Sequence, residues 1–170
     1  MAVLSAKGEG STFSFKIRCG VCAEADVSPQ KRPADRPSAS SRERLKILLA
    51  EDNRVNQLLV VRLLQGRGHH VDVVGDGQAA LNAIEEQSFD LILMDIQMPE
   101  MDGLETARIL RERQRNGHRM APIIAMTAHA MKGDRDKCIE AGMTGYISKP
   151  IQPDQLFALM EDVMAEAAER

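Results

Sequence analysis

Leu91-Ile92-Leu93-Met94-Asp95-Ile96-Gln97-Met98-Pro99-Glu100-Met101-Asp102-Gly103 is an apolar run that stops at a carboxylate and then breaks into a turn marked by Pro and Gly. Four apolar residues without alternation fit a strand covered on both faces, the kind found in parallel sheets flanked by helices. Asp95 then stands where that strand ends, rigidly aimed and open to solvent. Two more acids, Glu51 and Asp52, close a second apolar run, Ile47-Leu48-Leu49-Ala50, and Lys149-Pro150 follows a third around Tyr146 and Ile147.

Outward from these runs, the chain alternates. Short β-like stretches at residues 46–50, 70–74, 91–94, 123–126 and 145–148 are separated by helical ones, a (βα)5 pattern that predicts an α/β fold with a doubly wound, five-stranded parallel sheet. The helices are expected over 53–67, with Val55, Leu58, Leu59 and Leu63 on one stripe; over 76–86, capped by Asp76; and near 104–115, 132–141 and 153–168. Gly68, Gly75, Gly117 and Gly142 sit near the expected ends. Right-handed crossovers place all strand C-termini on one edge, where ligands bind in such sheets. Glu51, Asp52, Asp95, Thr127 and Lys149 all fall on that edge. Asp90 precedes its strand and belongs to the opposite edge, as a surface acid.

Composition supports a real but unusual core. Of 170 residues 44% are hydrophobic and only 3% aromatic, so the interior must be built from Leu, Ile, Val, Ala and the ten Met residues. A net charge of -3 carries no nucleic-acid signature. Three cysteines without an N-terminal apolar stretch argue against a disulfide framework and for a reducing, cytoplasmic setting. No apolar run approaches the ~20 residues needed to cross a bilayer, so no membrane contact is expected from this segment, and an anchor, if there is one, lies elsewhere.

Before residue 45 the pattern differs. Phe13, Phe15 and Ile17 alternate within 11–18 as on a half-buried strand, which cannot bury that face alone. Residues 23–44 turn to Pro, Ser, Ala and scattered charge, with Lys31, Arg32, Arg36, Arg42 and Arg44, and read as a solvated, flexible linker. Cys19-Gly20-Val21-Cys22 is a lone CxxC with no second pair or suitable His following it, which favours incidental cysteines over zinc or redox work. Cys138 reads as a small packed helix residue.

The acids of the shared edge suggest chemistry. Carboxylates gathered together raise one another's proton affinity unless a cation joins them. Magnesium suits such a site, since it takes oxygen ligands and is held by one or two carboxylates plus phosphate and water. A carboxylate nucleophile can form an acyl phosphate, while Lys149 and the Thr127 hydroxyl hold phosphoryl oxygens and Ala128 leaves the approach open. Taken singly, Asp52 also fits a helix cap, Thr127 a strand-end hydroxyl and Lys149 a solvated charge. The weight lies in five such residues ending four different runs on one edge.

On Ala50-Glu51-Asp52-Asn53, Met94-Asp95 with Met98-Pro99 and Asp102-Gly103, Ala125-Met126-Thr127-Ala128 and Lys149-Pro150, the segment from Leu45 to Ala168 resembles a response-regulator receiver domain, over roughly three quarters of the chain. The resemblance implies a flavodoxin-like sheet of strand order 2-1-3-4-5 in a domain spanning 45–170. It implies Asp95 as phosphoacceptor; Glu51, Asp52, Asp95 and the Gln97 backbone carbonyl as Mg2+ ligands; and Thr127 and Lys149 on the phosphoryl group. Tyr146 takes the position of the switch aromatic, turning inward as Thr127 moves, though it also fits a partly buried strand tyrosine. A cis peptide is implied at Lys149-Pro150. Gln97 and His129 stand where the family tunes phosphoryl lifetime.

Gly8-Glu9-Gly10-Ser11-Thr12-Phe13 resembles the turn into the closing strand of a histidine-kinase ATP-binding domain, which makes 1–22 a remnant of that domain and the whole order that of a hybrid histidine kinase. The phosphorylated-histidine helix and the nucleotide boxes are missing, so no ATP-dependent kinase activity is expected from these residues, and strand 11–18, cut from its sheet, is expected to be disordered or to stick to another surface. Implied partners are a kinase phosphohistidine domain or a histidine-phosphotransfer protein, docking near Asn56 and Leu59 on the first helix. The alternative is a receiver-fold interaction module that is never phosphorylated, which the full acid, Thr and Lys set disfavours. An aspartyl-phosphate hydrolase commonly has a second acid where Gln97 stands, which disfavours that class.

Overall fold

The computed structural model describes residues 2–6, 10–14, 44–115, 121–128 and 132–168. Cys19, Cys22, Gly117, His129 and nearly all of the expected linker lie outside the described residues. The chain divides into two compact units, Met1–Arg42 and Glu43–Arg170.

In the first unit, β1 (Ala2–Ala6) and β2 (Gly10–Ser14) pair antiparallel, with Ala2 opposite Ser14 and Ala6 opposite Gly10. Residues 11–14 of the strand expected over 11–18 are thus ordered in a hairpin, and 15–18 lie outside the described residues. The groups of Gly10–Ser14 that point toward Ala2–Ala6 lie opposite a strand in register with them.

The second unit follows the alternation read from the sequence: β3 (Lys46–Ala50), α1 (Arg54–Gly66), β4 (His70–Val74), α2 (Gly77–Glu86), β5 (Leu91–Asp95), α3 (Gly103–Arg115), β6 (Ile123–Thr127), α4 (Lys132–Glu140), β7 (Gly145–Ser148) and α5 (Pro153–Ala168). The five parallel strands lie in the order β4-β3-β5-β6-β7, which is 2-1-3-4-5 within this unit. Strands β5 and β6 each run one residue further than expected, so Asp95 and Thr127 are the last residues of their strands rather than the first beyond them.

Alternation along each strand sorts the core into two layers. Ile47, Leu49, Leu91, Leu93, Ile124 and Met126 face one side with Val60 and Leu64 of α1 and Leu156, Phe157, Met160 and Val163 of α5. Leu48, Ala50, Ile92, Met94 and Ala125 face the other with Ala80 and Leu81 of α2, Ala107 and Leu110 of α3, and Cys138 of α4. Helices therefore cover both faces, which is why the three central strands, β3, β5 and β6, read as unbroken apolar runs. Cys138 is packed, as its position suggested.

Three of the four residues of the stripe expected on α1 turn out to face away, while Leu63 packs against the core. Asn53 caps α1, its side chain accepting from the N–H groups of Val55 and Asn56, but Val55, Leu58 and Leu59 are exposed while Val60 and Leu64 are buried. Both sets have helical spacing, so periodicity alone could not choose between them. Asp76 caps α2 by accepting from Ala79 N–H. The Lys149–Pro150 peptide is cis.

Candidate functional site

The strand register builds the site. Ala50 pairs with both Val74 and Met94, Asp95 with Met126, and Thr127 with Ser148, so the strand ends lie in one row. Hydrogen bonds continue the ladder beyond the strands: Glu51 N–H donates to Val74 carbonyl at 3.1 Å, Ile96 N–H to Met126 carbonyl at 3.0 Å, and Lys149 N–H to Thr127 carbonyl at 2.7 Å. Glu51, Asp95, Thr127 and Lys149 are thus fixed at their backbones before any side chain acts. Glu51, Asp95 and Thr127 are buried, which corrects the expectation of an Asp95 open to solvent, whereas Asp52 and Gln97 are exposed.

At the centre lies one ammonium between two carboxylates. Lys149 Nζ donates to Asp95 Oδ2 at 2.6 Å and to Glu51 Oε2 at 2.7 Å, partners 54 and 98 residues away in the chain. Carboxylate oxygens of Glu51, Asp52 and Asp95 lie within 4.8 Å of one another. Asp95 Oδ1 accepts from Gln97 N–H at 3.3 Å, which holds the carboxylate plane.

This arrangement perturbs both partners upward. Burial, and then the charge of Glu51, raise the Asp95 carboxyl above its usual range although its hydrogen bond and charge pairing with Lys149 pull the other way. Burial would lower the Lys149 ammonium, but hydrogen bonds and charge from Asp95 and Glu51 outweigh it and raise it. An isolated ion pair would lower the acid. Here burial, together with a second carboxylate that shares the cation, outweighs that pairing.

The loop after β5 is shaped to pass close over Asp95. Gly103 N–H donates to Ile96 carbonyl at 3.0 Å, and a Cβ on Gly103 would sit 2.1 Å from the Asp95 carbonyl oxygen, so any side chain there would force the loop off the strand end. Asp102 caps α3 through its Oδ1, which accepts from Glu105 N–H at 2.7 Å. These contacts give the Asp102-Gly103 pair a physical reason. Glu100 in the same loop has φ of 63°, a left-handed conformation at a non-glycine residue.

The other expected residues are also placed. Tyr146 is partly exposed on β7, with the Arg135 guanidinium of α4 5.8 Å from its ring centroid. Ala128 is exposed beside Thr127. Asp90 is at the far edge, where its Oδ2 accepts from Lys46 N–H at 2.7 Å. Asn56, expected on a partner-facing surface, is half-buried and donates from Nδ2 to Glu51 Oε1 at 3.0 Å. Beside it, Gln57 Nε2 donates to the Glu51 carbonyl at 2.6 Å. The sequence signal for both is their place, five and six residues after Glu51, in the first turn of a helix that starts over that carboxylate.

Residues 47–161 match the family model described as the response regulator receiver domain. The chain is 45% identical over 120 residues to hybrid signal transduction histidine kinase I of Dictyostelium discoideum, an alignment covering 68% of this chain and 7% of that protein. A solved receiver domain of a sensor histidine kinase from Pseudomonas aeruginosa, with magnesium ion coordinated in its active site cleft, is 41% identical, with a TM-score of 0.65 over 72% of this chain and 99% of that one. A Saccharomyces cerevisiae co-crystal structure of a histidine phosphotransfer signalling protein with the receiver domain of its downstream response regulator matches at 29% identity and a TM-score of 0.63, over 71% of this chain and 86% of that one. The chain thus spans a small fraction of the length of the curated relatives it matches.

Proposed function

The chain belongs to the response regulator receiver domain family, and from that premise we propose that Asp95 accepts a phosphoryl group from a phosphohistidine. The observation that carries this is the Lys149 ammonium bonded to Asp95 Oδ2 and Glu51 Oε2 at the end of the central strand. An Asp95 oxygen attacks phosphorus as the phosphorus–nitrogen bond breaks. The electron pair returns to the imidazole, which takes up a proton, and an acyl phosphate remains on Asp95.

The residues divide the work. Gln97 N–H holds one Asp95 oxygen, orienting the carboxylate. Lys149 pairs with negative charge before transfer and with a phosphoryl oxygen after it. Thr127, at the end of the neighbouring strand, offers a hydroxyl to another phosphoryl oxygen. The all-oxygen donor set of Glu51, Asp52, Asp95 and the Gln97 carbonyl suits Mg2+, and the clustering of three carboxylate groups supports that assignment. When bound, the ion supplies charge neutralisation between the anionic nucleophile and the anionic donor.

Output follows from the surfaces beside the pocket. Val55, Leu58 and Leu59 project from α1 as an apolar face suited to a histidine-phosphotransfer or kinase phosphohistidine domain. Movement of Thr127 toward the phosphoryl group, with Tyr146 turning in from its partly exposed position, would change the surface along α4 and β7. Residues 1–22 are the end of a kinase ATP-binding domain, which makes the parent protein a hybrid histidine kinase working in the cytoplasm. Among the described residues no helix is long and apolar enough to cross a membrane.

The test is intact mass after incubation with magnesium and acetyl phosphate. Wild type gains one phosphoryl adduct in a magnesium-dependent reaction, and Asp95→Asn gains none. No adduct from acetyl phosphate or from a phosphohistidine donor would instead support the interaction module.

A further inference from the structure

Glu51 is the most constrained acid of the site, and most of its constraint comes from one helix turn. Its Oε1 accepts from Asn53 N–H at 3.2 Å and from Asn56 Nδ2 at 3.0 Å, while Oε2 takes Lys149 Nζ at 2.7 Å. A carboxylate accepts only, so Asn56 must present its amide nitrogen there. The last torsion of a glutamate is soft, with broad wells. Two donors on one oxygen fix that torsion and leave the other oxygen to Lys149 Nζ, which also binds Asp95 Oδ2. Of the two, Asn53 contributes a backbone N–H that every residue except proline would supply, so Asn56 is the donor that the choice of side chain controls.

We propose that Asn56 is a positioning residue for divalent-cation binding, holding the Glu51 carboxylate so that Oε2 faces the cation site. This rests on the assignment of Glu51 as a cation ligand. It also assigns a use to a side chain that the partner-docking reading left on the outside of α1. Asn56 touches no reacting atom and acts only through Glu51. Residues that orient ligating groups are worth about 10- to 100-fold in metal affinity.

The test is magnesium affinity by titration calorimetry on the full chain, with thermal stability measured in parallel. Asn56→Leu keeps the side-chain size and removes the donor, and its Mg2+ dissociation constant should rise about tenfold. Asn56→Gln retains an amide donor and should recover most of the affinity. Gln57→Leu breaks the neighbouring bond to the Glu51 carbonyl, and should lower stability with less than a threefold change in Mg2+ affinity. An Asn56→Leu variant that binds Mg2+ within twofold of wild type would overturn the proposal. So would a Gln57→Leu variant that loses as much affinity as Asn56→Leu, because seating of the helix would then be the cause. A wild-type chain with no saturable Mg2+ binding would overturn the cation-site assignment together with it.

Discussion

The two edges of the parallel sheet carry the same chemistry in different surroundings. At the N-terminal edge Lys46 Nζ donates to Gln87 Oε1 at 2.7 Å and lies 5.2 Å from the Phe89 ring, Gln87 donates on to Asp72, and Asp90 accepts from Lys46 N–H. At the C-terminal edge Lys149 Nζ joins Glu51 and Asp95. Each edge has a lysine and a cluster of acids. At the first, Asp90 is exposed, Asp72 is half-buried and the lysine Nζ binds an amide; at the second, two acids are buried beside each other, and the lysine side chain that joins them is only 20% exposed. Water screens the first cluster, so it carries little energy. The second stores unbalanced negative charge, which makes it receptive to a cation and to a group bearing one.

The largest break in that contrast is Lys149→Met. Removing the ammonium leaves Glu51 and Asp95 buried without a counter-charge, a change that costs about 3 kcal/mol in comparable buried pairs. Urea unfolding at neutral pH without divalent ions should show that loss, with the m-value unchanged. Adding Mg2+ should restore much more stability to Lys149→Met than to wild type, since the ion would supply the missing charge. A loss below about 0.5 kcal/mol, the range of an exposed pair, would erase the distinction between the edges.

The unequal edges also explain what the sequence could and could not disclose. Apolar runs ending in charge located the strands and the site row, because burial on both faces writes itself as uninterrupted Leu, Ile and Val and because parallel topology collects strand ends. Glu51, Asp95 and Thr127 were legible for that reason, whereas Lys149 follows the short edge strand Gly145–Ser148 and stood out by its place after Tyr146 and Ile147. The orientation of α1 was not: Val55, Leu58 and Leu59 form as good a stripe as Val60 and Leu64, and only the packed sheet selects between them. Asn56 was misplaced because a hydrogen bond to a carboxylate five residues earlier leaves no periodic mark. The pairing of Gly10–Ser14 with Ala2–Ala6 is not legible because the first six residues carry no strand alternation.

Next in size is the response to neutralising Asp95. Its folded-state carboxyl is raised above the ordinary 3.8 chiefly by burial and then by Glu51, so the fold binds that proton more tightly than the unfolded chain does. The resulting stability is fully present below about pH 4 and is lost as pH rises through the folded value. Lys149 is raised from 10.5, so its contribution holds through neutral pH and is lost in strong alkali. Without divalent ions, Asp95→Asn should therefore melt a few degrees above wild type at pH 7, and the gap should close on acidification toward pH 4. Calorimetric melting temperatures across that range check it. A variant that melts below wild type at pH 7 would mean that Lys149 fully compensates Asp95.

The smallest effect belongs to the other edge, and its smallness is the point. Lys46→Met keeps the backbone N–H that Asp90 accepts and loses only the contacts of Nζ with Gln87 and the Phe89 ring. Exposed pairs and ring contacts of this kind contribute about 0.5–1 kcal/mol, and part of the methylene packing survives in Met. Urea unfolding should move by no more than that, and magnesium affinity should not move at all, because β3 carries Lys46 at its first residue and Glu51 beyond its last. If Lys46→Met weakened Mg2+ binding, the edges would be coupled through the strand, and the separation of a screened cluster from a charged pocket would have to be abandoned.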